Sequence, residues 1–300
     1  MLGSSGSCRG AFHNTAKVTD RFFQLFGGYT RCIGSYSTQA ISFVQPFLFG
    51  SAFPGLDPVT LLDSRMIVLW GANVSVTRFG CSLEYYIRKA REQGVPVVVV
   101  DPRFSETAHK YGCEWIPVYP GTDASLMCAV LYVLISESLI DRTYISRYSS
   151  GFDEIESYII GESDGVPKTP EWAAAICGTP AETIRRFADA YGRRKPTALI
   201  PGASFQRTLG GEEACRLAVA LQVATANVGI RGGSSGGNIW NNLPRPHCKT
   251  IEMESYINTC SPVSKYGWAD AILGGVENGY PADISVIYNI DGAVKSFGVP

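Results

Sequence analysis

From Asp63 onward the chain alternates short, wholly apolar runs with longer amphipathic ones. Met66–Trp70 (MIVLW) is unbroken by any polar residue and reads as a strand. A helix capped at Ser82 follows: Leu83, Tyr86, Ile87 and Ala90 recur at the i, i+3, i+4, i+7 spacing of one buried face. Gly94 stops it. Val97–Val100 is apolar on both faces, as a central parallel strand must be. A third short strand is expected over 115–119. The segment Pro120, Gly121, Thr122, Asp123 then leads into a helix through Ser136 that buries Leu126, Val130, Val133 and Leu134. Residues 141–172 show only a short amphipathic piece. Thr179, Pro180, Ala181 and Glu182 have the form of a capping box with Pro at the first helical position. The helix they open presents Ile184, Phe187, Ala188 and Tyr191. Further along, the pattern predicts a strand over 197–200, a loop over 201–210, a helix over about 212–227 closed by Gly229, loops over most of 231–282, and a last core strand over 284–288. Strands alternating with helices predict an α/β fold: a mainly parallel sheet with helices on both faces.

Residues 1–62 lack this alternation. Gly, Ser, Phe and Pro are interspersed there. The expected organisation is therefore 1–62 as part of a second, split α/β domain, and 63–300 as an α/β nucleotide-binding domain cut short at its C-terminus. A chain that stops soon after a core strand reads as a fragment of a longer polypeptide.

Composition narrows the function classes. With 26 basic and 27 acidic residues the net charge is −1, which offers no electrostatic surface for nucleic acid. Nine Cys occur without any Cys-x-x-Cys pair. That spacing argues against a disulfide framework and against a Cys-rich zinc or iron–sulfur site in this segment; the thiols read as small buried hydrophobes. The three His, at 13, 109 and 247, are not at ligand spacing. The N-terminus lacks the basic and apolar regions of a signal peptide, and no apolar stretch approaches the ~20 residues of a membrane span.

Candidate chemistry gathers at the ends of strands. Trp70, Gly71 and Asn73 lie in the loop leaving the first strand. Open α/β sheets bind ligands at that edge, although a plain strand-to-helix turn would look the same, and Gly-x-Gly-x-x-Gly is absent. Asp101 ends the second strand, a station from which an acid reaches ribose hydroxyls; it could equally begin a turn. Arg103 beside it suits a phosphate or a local pair. Asp123, after Gly121 and Thr122, can accept two N–H bonds from a guanine edge or act as a cap or first-turn acid. Gln206 and Arg207 follow the fourth strand, where Arg can hold a pyrophosphate bidentately or stay solvated. Ser37 sits in the turn Gly34, Ser35, Tyr36, Ser37, Thr38. By itself it is a turn residue, and Gly-x-Ser-x-Gly is absent.

Taken together, these pieces resemble the dimethyl sulfoxide reductase family of molybdopterin oxidoreductases, in the branch of anaerobic catalytic A subunits. The resemblance rests on Gly27-Gly28-Tyr29 with residues 34–38, the 70–73 loop, Val100 to Arg103, residues 115–118 with 120–123, Lys168 to Ala173, Phe205 to Arg207 with Gly211-Glu212, and Asn227 to Gly229 with Gly232-Gly233. The resemblance implies an enzyme: a molybdenum-dependent oxidoreductase carrying bis(molybdopterin guanine dinucleotide). Its reaction would be two-electron oxygen-atom transfer from a small-molecule oxide, a sulfoxide or an N-oxide. Ser37 matches the serine that ligates the metal. Tyr36, Trp70, Gly71, Asn73, Asp101, Arg103, Gly121, Thr122 and Asp123 match cofactor contacts, and Gln206 and Arg207 match contacts to the pterin and phosphate part. An iron–sulfur cluster is implied only for a missing N-terminal part. The implied partners are an iron–sulfur electron-transfer subunit and a membrane anchor subunit. The compartment would be extracytoplasmic given a twin-arginine signal, and otherwise cytoplasmic. Relatives are more than twice this length, so the fragment alone is expected neither to hold the full cofactor nor to turn over. Three departures stand out: Ser35 replaces a frequent Asp, Ala203 a Trp, and Val74 a Pro. A molybdenum transhydroxylase-like relative and a non-catalytic nucleotide-binding module are the alternatives. An NAD-dependent dehydrogenase is disfavoured by the absent glycine fingerprint.

Overall fold

The computed structural model describes residues 15–35, 37–51, 54–77, 82–237 and 261–288. Those within Met1–Tyr36 and Arg245–Pro300 form one unit, and those within Ser37–Pro244 form the other. The first unit opens with helix α1 (Thr15–Phe26) and a two-residue strand β1 (Cys32–Ile33). Arg31, just before β1, pairs with Asp20 of α1 at 3.2 Å.

The second unit is built on a four-stranded sheet. Helix α2 (Gln39–Phe49) precedes it in the chain. Then come β2 (Met66–Trp70), α3 (Ser82–Glu92), β3 (Val97–Val100), α4 (Glu106–Tyr111) and β4 (Glu114–Ile116). Five helices follow without a strand between α5 and α9: α5 (Asp123–Ser136), α6 (Arg142–Tyr148), α7 (Phe152–Ile160), α8 (Pro170–Cys177) and α9 (Ala181–Arg193). Strand β5 (Thr197–Pro201) and helix α10 (Gly211–Ala224) complete the unit. The strand order is β4-β3-β2-β5, and every pairing is parallel. Val68 lies opposite both Val98 and Leu199.

This order explains the unbroken apolar strands. Met66, Val68, Trp70, Val98, Val100 and Leu199 face one core, with α2, α5, α8, α9 and α10. Ile67, Leu69, Val97, Val99, Ala198 and Ile200 face the other, with α3 and α4. A strand buried on both sides has no polar face to show. The chain lays β3 and β4 to one side of β2 and then returns to place β5 on the other. The carboxyl ends of β2 and β5 therefore frame a topological switch point, where open α/β sheets bind ligands.

The expected α/β architecture, with its parallel sheet and two helical layers, is the one found. Several local expectations are not. The third strand covers 114–116 rather than 115–119, because Pro117 has no N–H to continue the ladder. Helix α5 buries far more than one stripe, adding Met127, Cys128, Ala129 and Leu131, because helices pack around it on several sides. Residues 141–172 hold two short helices and the start of a third. The Asp141 carboxylate caps α6 by accepting from Tyr144 N–H at 2.8 Å. The Thr169 hydroxyl caps α8 by accepting from Trp172 N–H at 3.2 Å. No capping box forms at Thr179: the N-cap is Pro180, and the buried Thr179 hydroxyl donates to Pro117 C=O instead. Helix α10 starts at Gly211 and ends at Ala224.

The link from α7 to α8 is pinned by a buried lysine. The Lys168 ammonium donates to Asp164 Oδ2 at 2.6 Å and to Val166 C=O, and it lies 4.1 Å from the centre of the Tyr158 ring and 5.7 Å from that of Trp172. Charge, carbonyl and aromatic faces together replace the water it loses. Cys128, Cys177 and Cys215 are buried in the larger core, and burial pushes the Cys128 and Cys215 thiols up to about 12. Such thiols are inert packing groups.

The first unit closes with β6 (Val263–Ser264), parallel to β1 in the register Cys32↔Val263, and α11 (Trp268–Gly274). Part of the expected 231–282 loop is therefore regular structure; residues 238–260 lie outside the described residues. The expected core strand 284–288 belongs to neither described sheet. Val286, Ile287 and Tyr288 are exposed, so an apolar run with strand propensity here lacks the two-sided burial that defines β2 and β3.

Candidate functional site

The loop 201–210 organises the sheet's carboxyl edge, and it does so mainly through backbone. Gly202 N–H donates to Trp70 C=O at 2.8 Å. The Ser204 hydroxyl donates to Gly71 C=O at 2.9 Å. A Cβ on Gly202 would lie 1.8 Å from the Gly71 carbonyl oxygen, so the ends of β2 and β5 meet glycine to glycine. Gly71 itself has φ +61°, which lets the chain turn away at once from β2. Farther along, the Thr208 methyl group lies within ordinary contact of the Cβ position of Gly121.

The same loop holds the turn that carries Ser37. Arg207 Nε donates to the Ser37 carbonyl at 3.2 Å. Gln206 Oε1 accepts from Ile41 N–H at 2.9 Å, although the two residues are 165 positions apart. That N–H lies in the first turn of α2, where Thr38 supplies no side-chain cap. Gln206 therefore caps the helix from across the unit, and Ser37 stands exposed at its entrance. Tyr36 lies outside the described residues.

Asp123 opens α5 as its first residue and is 5 % exposed. The Trp70 indole N–H donates to its Oδ1 at 2.9 Å. Burial pushes the Asp123 carboxyl up, the Trp70 hydrogen bond opposes that, and the nearby Asp101 charge adds to the rise. Trp70 is fully buried and reaches this edge through the carboxylate it holds. Asp101 ends β3 half-buried. Its Oδ1 accepts from Arg103 N–H at 2.9 Å, and Oδ2 takes no hydrogen bond among the described residues. Burial raises its carboxyl as well, against the backbone N–H and charge of Arg103. The Arg103 guanidinium, largely exposed, meets Glu106 at 3.4 Å. Asn73 is committed to α4, donating to Glu106 Oε2 at 3.0 Å and accepting from the Thr107 hydroxyl at 2.7 Å. Thr122 turns its hydroxyl back onto Tyr119 C=O at 2.7 Å.

Ser37, Gly71, Gly121, Gln206 and Arg207 are thus drawn together by one loop, while Trp70 and Asp123 form a buried pair beside Asp101. Gly202, Ser204 and Thr208 do the joining and were not singled out in the sequence. Their only signal was position, in the loop after a central strand.

Replacing Trp70 with Phe tests the pair. The variant is expected to lose about 1.5–3 kcal/mol, the range for a hydrogen bond to a charged group. Because the folded carboxyl of Asp123 is raised, its favourable contribution is complete below the unfolded carboxyl pKa and fades as pH rises through the folded one. Trp70 moderates that loss. The Trp70→Phe deficit should therefore be larger at neutral pH than in acid, where Asp123 is protonated in both proteins. Urea unfolding across pH reads it, and a pH-independent deficit would remove the pairing from the account.

Comparison with known proteins places this edge in a family. Residues 1–292 match the model of the molybdopterin oxidoreductase family. The chain is 36% identical over 281 residues to the probable dimethyl sulfoxide reductase chain YnfF of Escherichia coli, covering 87% of this chain and 34% of that protein. It is also 36% identical over 272 residues to dimethyl sulfoxide reductase DmsA of the same organism (86% and 33%). To the trimethylamine-N-oxide reductase of Haemophilus influenzae it is 34% identical over 251 residues (79% and 30%). The chain spans about a third of the length of these relatives. Among solved structures, acetylene hydratase from Pelobacter acetylenicus shares the fold, with a TM-score of 0.59 at 20% identity over 77% of this chain and 30% of that one. On these matches the chain belongs to the molybdopterin oxidoreductase family.

Proposed function

We propose that the sheet edge between β2 and β5 carries the guanine nucleotide arm of a molybdopterin cofactor, and that the chain serves the reduction of a small sulfoxide or N-oxide. One observation carries this reading: at the topological switch point, loop 201–210 joins the Ser37 turn, the end of β2 and the Gly121 turn.

The donor set fits such a group. Asp101 keeps Oδ2 for a ribose hydroxyl. Asp123, a nearly buried carboxylate, suits the N–H edge of a planar base. The Arg207 guanidinium forms no ion pair among the described residues, and its Nη atoms suit a phosphate. Ser37 presents a hydroxyl at the metal end. When bound, the molybdenum cofactor supplies two-electron oxygen-atom transfer. The chain's own work is to bind and orient. Asp101, Asp123 and Arg207 fix the nucleotide, and Gln206 and Arg207 hold the Ser37 turn through backbone groups. The names of the relatives support sulfoxides and N-oxides as the substrate class. The bis(guanine dinucleotide) form of the cofactor, an iron–sulfur subunit with a membrane anchor, and an extracytoplasmic site reached by a twin-arginine signal complete the proposal.

Calorimetry of the 300-residue chain with GDP and ADP tests the nucleotide half. GDP is expected to bind saturably at one site, roughly tenfold or more tighter than ADP, because adenine leaves the buried Asp123 carboxylate without its N–H partners. Equal affinities, or no GDP binding, would contradict the reading.

A further inference from the structure

We propose that Tyr119 is the stacking platform for the purine ring of the nucleotide held at the Gly121–Asp123 turn, a role that rests on the nucleotide reading above. Tyr119 is 62 % exposed and stands four residues before a buried carboxylate. Its ring is nevertheless braced. It lies directly on Gly178, where an added Cβ would come within 2.5–2.8 Å of three ring carbons. The backbone beneath it is tied to the end of α8 at two points. Tyr119 N–H donates to Cys177 C=O at 2.9 Å, and the Thr179 hydroxyl donates to Pro117 C=O at 2.6 Å. Gly178 at φ +74° makes this close approach possible.

The ring is also tied to the site ahead of it. Tyr119 C=O accepts from both the N–H and the hydroxyl of Thr122, at 3.2 and 2.7 Å, so ring and Asp123 belong to one fixed turn. The phenolic oxygen makes no hydrogen bond among the described residues, and the ring pairs with no other aromatic there. One face is thus spent on a glycine, and the side away from it is left to solvent. A flat, immobilised aromatic surface beside base-edge acceptors is what a purine stacks on, and stacking tolerates any base because every base has a π-face. In this division of labour Asp123 selects the base and Tyr119 supplies affinity without selectivity.

The test compares GDP and ADP binding to the full 300-residue chain by calorimetry for wild type, Tyr119→Phe, Tyr119→Leu and Asp123→Asn. Tyr119→Phe is expected to bind as wild type. Tyr119→Leu keeps an apolar cover over Gly178 but should weaken both nucleotides about tenfold, the effect of losing one base stack, with the GDP/ADP ratio unchanged. Asp123→Asn should collapse that ratio. Wild-type affinity in Tyr119→Leu, while wild type binds GDP selectively, overturns the stacking role and leaves the nucleotide reading intact. Absence of GDP binding by wild type overturns both.

Discussion

Gly202→Ala is expected to destabilise the second unit by about 3 kcal/mol and to abolish nucleotide binding with it. The added methyl group would lie 1.8 Å from the Gly71 carbonyl oxygen and 2.7 Å from Ala72 Cα. These are backbone atoms, so no side-chain rotation relieves the clash. The ends of β2 and β5 must separate, at an overpacking cost of roughly 1–3 kcal/mol. The Gly202-to-Trp70 hydrogen bond is lost as well, for about 1 kcal/mol. Gly210→Ala is the matched control. Its Cβ would meet nothing, so only the positive φ of +71° is penalised, at about 1 kcal/mol. Urea midpoints at unchanged m-value give the difference. Equal midpoints for the two variants would mean that the strand ends do not meet as described.

Ser37→Ala is expected to leave the fold within about 0.5 kcal/mol of wild type, as for an ordinary exposed position. The grip on its turn comes from Arg207 on the Ser37 carbonyl and from Gln206 on Ile41 N–H, neither of which needs the hydroxyl. In the complete, cofactor-loaded enzyme, turnover of dimethyl sulfoxide or trimethylamine N-oxide with a reduced dye should fall by more than about 100-fold, above the range for outer-shell partners of a metal. The loss should appear in kcat rather than in KM, since the hydroxyl is assigned to the metal and not to the substrate. A variant that keeps its kcat would strip Ser37 of that assignment.

Much of this fold is written in the apolar runs. Strands β2 and β3 are legible to the residue because burial on both faces removes every polar position. The helices α6 and α7 are hidden, since seven and nine residues carry too few turns for a period to emerge. The Asp141 cap marks the start of α6, whereas α7 starts at Gly151 without a side-chain cap. The run 284–288 misleads for the opposite reason: strand-like composition does not by itself bring burial on both faces. Within the site, Asp101, Gly71 and Asp123 are readable because strand ends and helix starts fix where they must fall. Trp70 is readable as a member of the edge but not as the buried group that holds Asp123. The bond between Gln206 and Ile41 crosses 165 positions, and the meeting of Gly202 with Gly71 is a backbone contact without a side-chain signature. Neither can be seen until the chain is folded.

These contacts matter functionally only if position 37 meets the metal. Molybdenum K-edge absorption on the complete, cofactor-loaded enzyme, as wild type and as Ser37→Cys, decides this most directly. The account predicts that the variant loses one oxygen neighbour of molybdenum and gains one sulfur neighbour. Identical ligand shells in the two proteins would contradict it.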